Sequence, residues 1–282
     1  MVLLPPQYVK PYVQRGKNDA IDAAAICEAM SRPVLGLDPG MRFVPVKTAE
    51  QQAALTMLGV RDLLVKQRTM LINAIRGHAA EFGVTVAKGP KQVTELLQRL
   101  ATDESVPALA REMVSVLASQ LDGLAIKLTA IETRLMAWHR QDQTSQLLAT
   151  IPGIGPIGGV SFALKVPDPK VFRSSRHFAS WVGITPREAS TAGRQRLGKI
   201  SRQGVEDLRR LLVIGATAVI RAANLRVKPA GQGPTGRASP WLMGLLSKKS
   251  KKVAAVALAN KTARIIWAMM ISGETYHQPT QA

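Results

Sequence analysis

Apolar residues recur along this chain at helical rather than strand spacing, and the clearest case lies near its middle. Leu117, Leu121, Leu124, Leu128, Ile131 and Leu135 are separated by alternating steps of four and three, the spacing of a coiled-coil seam. An amphipathic helix folded against its own domain carries the same stripe. Upstream, residues 48–83 form a second long helical stretch, with Met57, Leu64, Leu71, Ile75 and Phe82 at steps of seven, seven, four and seven. The two stretches are expected to pair as an antiparallel helical hairpin, extended into a dimer contact, with a shorter helix over 92–101.

The ends of the chain pattern differently. Residues 1–14 hold one short strand that Pro5-Pro6 breaks, a strand with no evident sheet to join. An Ala-rich helix is expected over 17–30, and "RPVLGLDPGMRFVPV" has the Pro and Gly content of a loop. A boundary falls near Ala149. Beyond it "SQLLATI" and "GGVSFALKV" read as helices around a Gly-Ile-Gly turn, the form of a helix-hairpin-helix. Val205, Leu208, Leu212 and Val219 mark another helix. "RVKPAGQGPTGRASP" reads as a linker or exposed loop, residues 240–271 as one final helix, and the last ten residues as a frayed tail. The expected fold class is mainly α, divided at 1–47, 48–148, 149–272 and 273–282.

Charge changes this picture by naming a partner. The chain carries 38 Lys+Arg against 19 Asp+Glu, a net of +19. From Ile151 onward there are 21 basic and 5 acidic residues, whereas residues 1–150 hold 17 and 14. Such a localised surplus implies a polyanion, DNA or RNA, bound by the last 132 residues. The single cysteine, Cys27, excludes a disulfide framework, and four scattered histidines suggest no metal cluster. With no long apolar run and no signal-peptide pattern at the N-terminus, a cytoplasmic nucleic-acid binder with no membrane role is expected.

Three stretches carry candidate chemistry. In "TIPGIGPIGG", Gly153 and Gly155 allow backbone to approach a phosphate, and the amides of the following helix N-terminus supply donors. A plain glycine-capped connection is the alternative. In "GITPREASTAGRQRLGKISRQG", Arg187, Arg194, Arg196, Lys199 and Arg202 crowd one Gly/Ser/Thr loop. Five cations repel one another unless an anion sits among them, so the loop is expected to grip phosphate rather than form a solvated charge run. Ser190 lies there too. By its residue type alone it is a hydrogen-bonding loop residue, since a serine needs a base, a metal or cations to become nucleophilic. Asp19 and Asp22 lie three apart at a helix start, close enough to share a metal ion. Stabilising the helix dipole is the other reading of that pair.

Together, "KNDAIDAAAI", the heptad region, "IPGIGPIGG" and "FASWVGITPREASTAGRQRLGKISRQGVEDLRRLLVIGA" resemble the insertion sequence 110 family of bacterial transposases, in the branch of the 1111 subgroup. The resemblance runs from about Val2 to Ile271. It implies an N-terminal RuvC-like (RNase H fold) domain, a coiled-coil segment and a C-terminal transposase domain. It implies an Asp-Glu-Asp-Asp set holding Mg²⁺, whose last two acids match Asp19 and Asp22. It makes Ser190 the nucleophile that forms a phosphoserine link to DNA, with Thr191 as the less favoured match. Partners implied are element and target DNA, an element-encoded guide RNA, and further copies of the chain in a homo-oligomer. Only 18 residues precede Asp19, and none is acidic. The chain is therefore expected to be N-terminally truncated, to keep a remnant of the RuvC-like domain, and to be inactive in recombination on its own. A non-catalytic DNA- or RNA-binding remnant is the alternative function.

Overall fold

The computed structural model describes residues 3–277, apart from 15, 17, 37–42, 88, 90, 91, 192, 193, 195 and 225–238. Its described residues are predominantly helical. The strand expected before Pro5-Pro6 falls partly on residues 1 and 2, outside the described residues, and after it come one helical turn, α1 (Pro6–Val9), and a 3-10 turn over Lys10–Tyr12. Among the described residues near them, the extended pairing is an isolated antiparallel bridge between Leu3 and Val44. The paired prolines end the extended segment there, because each fixes its φ and removes an amide that a ladder would need.

The next helix, α2 (Asp19–Val34), begins where the Asn18 side chain accepts a hydrogen bond from the Ala20 amide at 2.8 Å. It runs four residues past the expected end at Met30 and keeps Pro33 inside its last turn. The linker expected at 226–240 lies mostly outside the described residues.

The long helical pair forms as expected. A reciprocal capping box sets the start of α3 (Ala49–Glu81): Thr48 Oγ1 accepts from the Gln51 amide, and the Gln51 side chain accepts from the Thr48 amide, both at 3.1 Å. The short α4 (Gln92–Thr102) leads into α5 (Ala108–Gln141). The two long helices are antiparallel. Ala54 and Leu58, early in α3, pack with Leu135 and Ile131, late in α5, while Ile75 and Ala79 pack with Val114. On α5 the predicted seam is the buried face, with Leu124, Leu128 and Leu135 in the interior.

On α3 the phase differs. Ala54, Leu58, Ile75 and Ala79 are its buried positions, and Phe82 is exposed. A strict seven-residue step drifts about 20° per heptad around a straight helix, and small alanines let the helices approach closely. Arg61 and Glu132 bridge the pair at 2.7 Å. Val93, Leu96 and Leu100 of α4 close its far end.

At the near end, Leu135 and Ala54 meet Val160 and Leu164 of the C-terminal half. That half consists of α6 (Gln143–Ala149), α7 (Pro156–Lys165), α8 (Ser175–Val182), a two-stranded antiparallel hairpin, and the helices α9 (Glu206–Asn224), α10 (Pro240–Lys248) and α11 (Lys251–Ser272). Its core joins Phe162, Phe172 and Phe178 to Leu208, Leu212 and Ile266. Phe172 packs edge-on against Phe178, with ring centroids 5.1 Å apart.

The expected single helix over 240–271 is two helices. Lys249 is extended, and Ser250 restarts the chain as the N-cap residue of α11. Of the tail, Tyr276 packs on the core rather than fraying, and burial pushes its hydroxyl pKa upward. Helices α5 and α11 are long and apolar enough to cross a membrane by length and composition. Of those apolar stretches, 11% is buried in α5 and 39% in α11; the seam of α5 faces α3, and Ala254, Ala259, Ala263 and Ile266 of α11 lie in the core.

Candidate nucleic-acid interface

The residues predicted to grip phosphate sit on a hairpin rather than an irregular loop. Strand β1 (Pro186–Glu188) pairs with β2 (Leu197–Ile200), matching Pro186 to Ile200 and Glu188 to Leu197, with a register irregularity between. Its root is fixed to the core by backbone. Gly183 ends α8 in the left-handed conformation, and its carbonyl accepts from the Arg202 amide at 3.1 Å. Arg202 itself has φ +56°, a value uncommon outside glycine, and it turns the chain from β2 toward α9. Gly204 follows with φ +115°, where a Cβ would lie 1.9 Å from the Trp181 carbonyl oxygen.

Ser190 stands exposed on the turn of this hairpin. Its hydroxyl donates to a carboxylate oxygen of Glu188 at 2.9 Å and accepts from the backbone amide of Arg196 at 3.1 Å. The Arg196 carbonyl closes the turn by accepting from the Ala189 amide at 2.9 Å. The Oγ therefore lies between a proton acceptor and a backbone donor, on a surface rich in cations. Glu188 escaped the sequence reading. The signal for it was present: it is the only acid between Asp168 and Glu206, two residues before the serine.

The five cations divide. Arg187 donates through Nη2 to the Ser201 carbonyl at 3.1 Å, which ties it to the hairpin root. Arg194, a bridge partner of Thr191, and Arg196 are exposed at the turn. Lys199 and Arg202 face a groove of about 1320 Å³ between the hairpin and α11. Across it stand Lys252, Lys261 and Arg264 of α11, three further cations that the sequence reading passed over. Among the described residues, no Asp or Glu lines this groove.

The glycine turn between α6 and α7 has two jobs. Gly153 has φ +91°, and a Cβ there would sit 2.8 Å from the Gly215 carbonyl oxygen of α9. The reverse approach is tighter, with a Cβ on Gly215 falling 2.0 Å from the Gly153 carbonyl oxygen. This pairing locks the turn onto α9, and Gly215 was not foreseen. Gly155, the N-cap residue of α7, has open space around it.

Asp19 and Asp22 occupy the exposed first turn of α2. Among the described residues, no group of three or more His, Cys, Asp or Glu side chains is placed to hold a metal ion. Two exposed carboxylates do not fit the demands of a two-ion magnesium centre, which takes its ligands from several rigidly placed oxygens.

Residues 145–230, which span the glycine turn, the hairpin and α9, match the family described as transposase IS116/IS110/IS902. The chain is 50% identical over 276 residues to a protein of Sinorhizobium fredii named as a transposase, covering 98% of this chain and 68% of that protein. It is 43% identical over 280 residues to a family 20 transposase of Pseudomonas aeruginosa, covering 98% and 78%. To the transposase for insertion sequence element IS1111A of Coxiella burnetii it is 38% identical over 276 residues, covering 97% and 72%. Matches of this length and identity, centred on the cationic hairpin, make the chain a member of the IS116/IS110/IS902 family of insertion-sequence transposases.

Proposed function

We propose that the chain acts in DNA transposition by cleaving and rejoining strands, with Ser190 as the nucleophile. The observation that carries this is the Glu188–Ser190–Arg196 arrangement on an exposed cationic hairpin. In the proposed step, Ser190 Oγ bonds to the scissile phosphorus and its proton passes to Glu188. The ester bond to the leaving oxygen breaks, and that oxygen takes its proton from water. The Arg196 amide holds the attacking oxygen in place. Arg194, Arg196 and Lys199 offset the charge that develops on the phosphoryl oxygens. Gly155 and the N-terminus of α7 hold a flanking phosphate as the second half of a helix-hairpin-helix contact.

The test is a denaturation-resistant covalent adduct between the chain and labelled DNA carrying element ends. The expected result is an adduct that Ser190→Ala abolishes and Thr191→Ala leaves intact. An adduct that survives Ser190→Ala would overturn the serine assignment.

A second reading, nucleic-acid binding without catalysis, is favoured by one observation, the lone Asp19/Asp22 pair. Residues 1–47 are read as part of a RuvC-like domain whose magnesium set this pair does not complete. Salt-sensitive DNA binding by a chain that never forms the adduct would select this reading. Self-association along α3 and α5, supported by the exposed Leu63, Met70 and Ile126, and the handling of a guide RNA complete the proposal.

A further inference from the structure

We infer that the groove between the hairpin and α11 holds an unpaired DNA strand, with Trp241 as a stacking platform for one of its bases. This rests on the reading of the chain as a DNA-handling protein and adds the form in which the DNA is held.

Two properties of the groove point the same way. Its rim is cationic on both sides, through Lys199 and Arg202 on one and Lys252, Lys261 and Arg264 on the other. The rest of its lining is largely apolar and includes Ile184, Ile200, Val253 and Val256. A duplex turns phosphates outward and keeps its base faces inside the stack, so it would satisfy the cations and gain nothing from the apolar lining. A single strand offers both phosphate and π-surface, and it is bound where cations track the backbone and an aromatic ring receives a base.

Trp241 supplies that ring. It belongs to α10, lines the groove, and is 42% exposed although the neighbouring Leu242 is buried. Lys261 Nζ lies 4.5 Å from the ring centroid. This cation–π contact sets the cation over one face of the ring, and a base stacking there displaces the flexible lysine toward the base's own flanking phosphate.

The face of α11 that lines the groove runs from Lys252 to Ala268, about 24 Å at 1.5 Å per residue. That is long enough for several nucleotides rather than one. DNA is chosen over RNA because the hairpin that forms one wall of the groove, through Pro186, Gly198, Lys199 and Ile200, is the one that carries Ser190 at its turn.

The experiment measures binding of the full chain to three labelled oligonucleotides of one sequence, as single-stranded DNA, duplex DNA and single-stranded RNA, by fluorescence anisotropy at fixed salt. Trp241→Ala is expected to weaken single-stranded DNA binding by about five- to a hundredfold, the usual effect of removing one stacked base, and to change duplex affinity less than twofold. Trp241→Phe, which keeps a ring, is expected to recover most of the loss and to guard against misfolding. An equal loss for single strand and duplex, or none for the single strand, would overturn the inference and leave DNA handling intact. A larger Trp241-dependent loss for RNA than for DNA would overturn the choice of DNA. Absence of binding to all three by the unsubstituted chain would remove the transposition reading as well.

Discussion

At Gly215 a single methyl group is enough to test the joint between the glycine turn and α9. An added Cβ would fall 2.0 Å from the Gly153 carbonyl oxygen, a backbone atom that cannot rotate away. Gly215→Ala is therefore expected to force the turn and helix apart and to destabilise the chain by about 1–3 kcal/mol, the range for overpacking a closely fitted interior. The measurement is a chemical denaturation midpoint. Gly155→Ala is the control, because open space surrounds that position, and it should leave the midpoint nearly unchanged. A small effect at Gly215 would mean that the close approach is not part of the folded state. From sequence the two glycines of "GIG" were indistinguishable, since only the partner across space separates a packing glycine from a capping one. Glu188 stayed hidden for a related reason: its role depends on a turn that brings residue 190 back within reach of 188.

The long helices were the most legible elements, because burial there follows a period written into the sequence. Leu124, Leu128 and Leu135 were identified as seam residues and are buried. Leu135→Ala should cost about 2–5 kcal/mol, the usual range for emptying a buried leucine site, as read by denaturant titration. Ile126→Ser, on the exposed side of the same helix, should leave monomer stability nearly unchanged. Equal costs would place both residues in the interior and refute the seam.

The hairpin was illegible for the opposite reason. Its strands are exposed on both faces over Pro186–Glu188 and nearly so over Leu197–Ile200, so no alternation of polar and apolar residues announces them. Short cationic strands of this kind are held by ladder bonds and by their root, Gly183 and Arg202, neither of which carries a periodic signal. The break at Lys249–Ser250 was missed because the lysines on either side continue the helix-compatible composition.

Charge was legible at the scale of the molecule, while its geometry was not. The surplus beyond Ile151 was countable from the chain alone, but the convergence of Lys252, Lys261 and Arg264 on Lys199 and Arg202 required the fold of α11 against the hairpin. A phosphate contact releases counterions, so the logarithm of the binding constant falls linearly with that of salt concentration. Neutralising Lys252 or Arg264 to alanine should reduce the magnitude of that slope by about one each. Lys66→Ala or Lys127→Ala, exposed on the long helices, should leave it unchanged. Equal changes at all four sites would show nucleic acid spread over the whole surface rather than held in the groove.

The backbone-to-backbone joint of Gly153 with Gly215 has a mechanical corollary. No layer of side chains lies between the turn and α9 to absorb displacement, and Arg210 of that same helix grips Asp62 of α3 at 2.8 Å. Backbone contact thus joins the turn to α9, and an ion pair joins α9 to a helix of 33 residues, about 50 Å long.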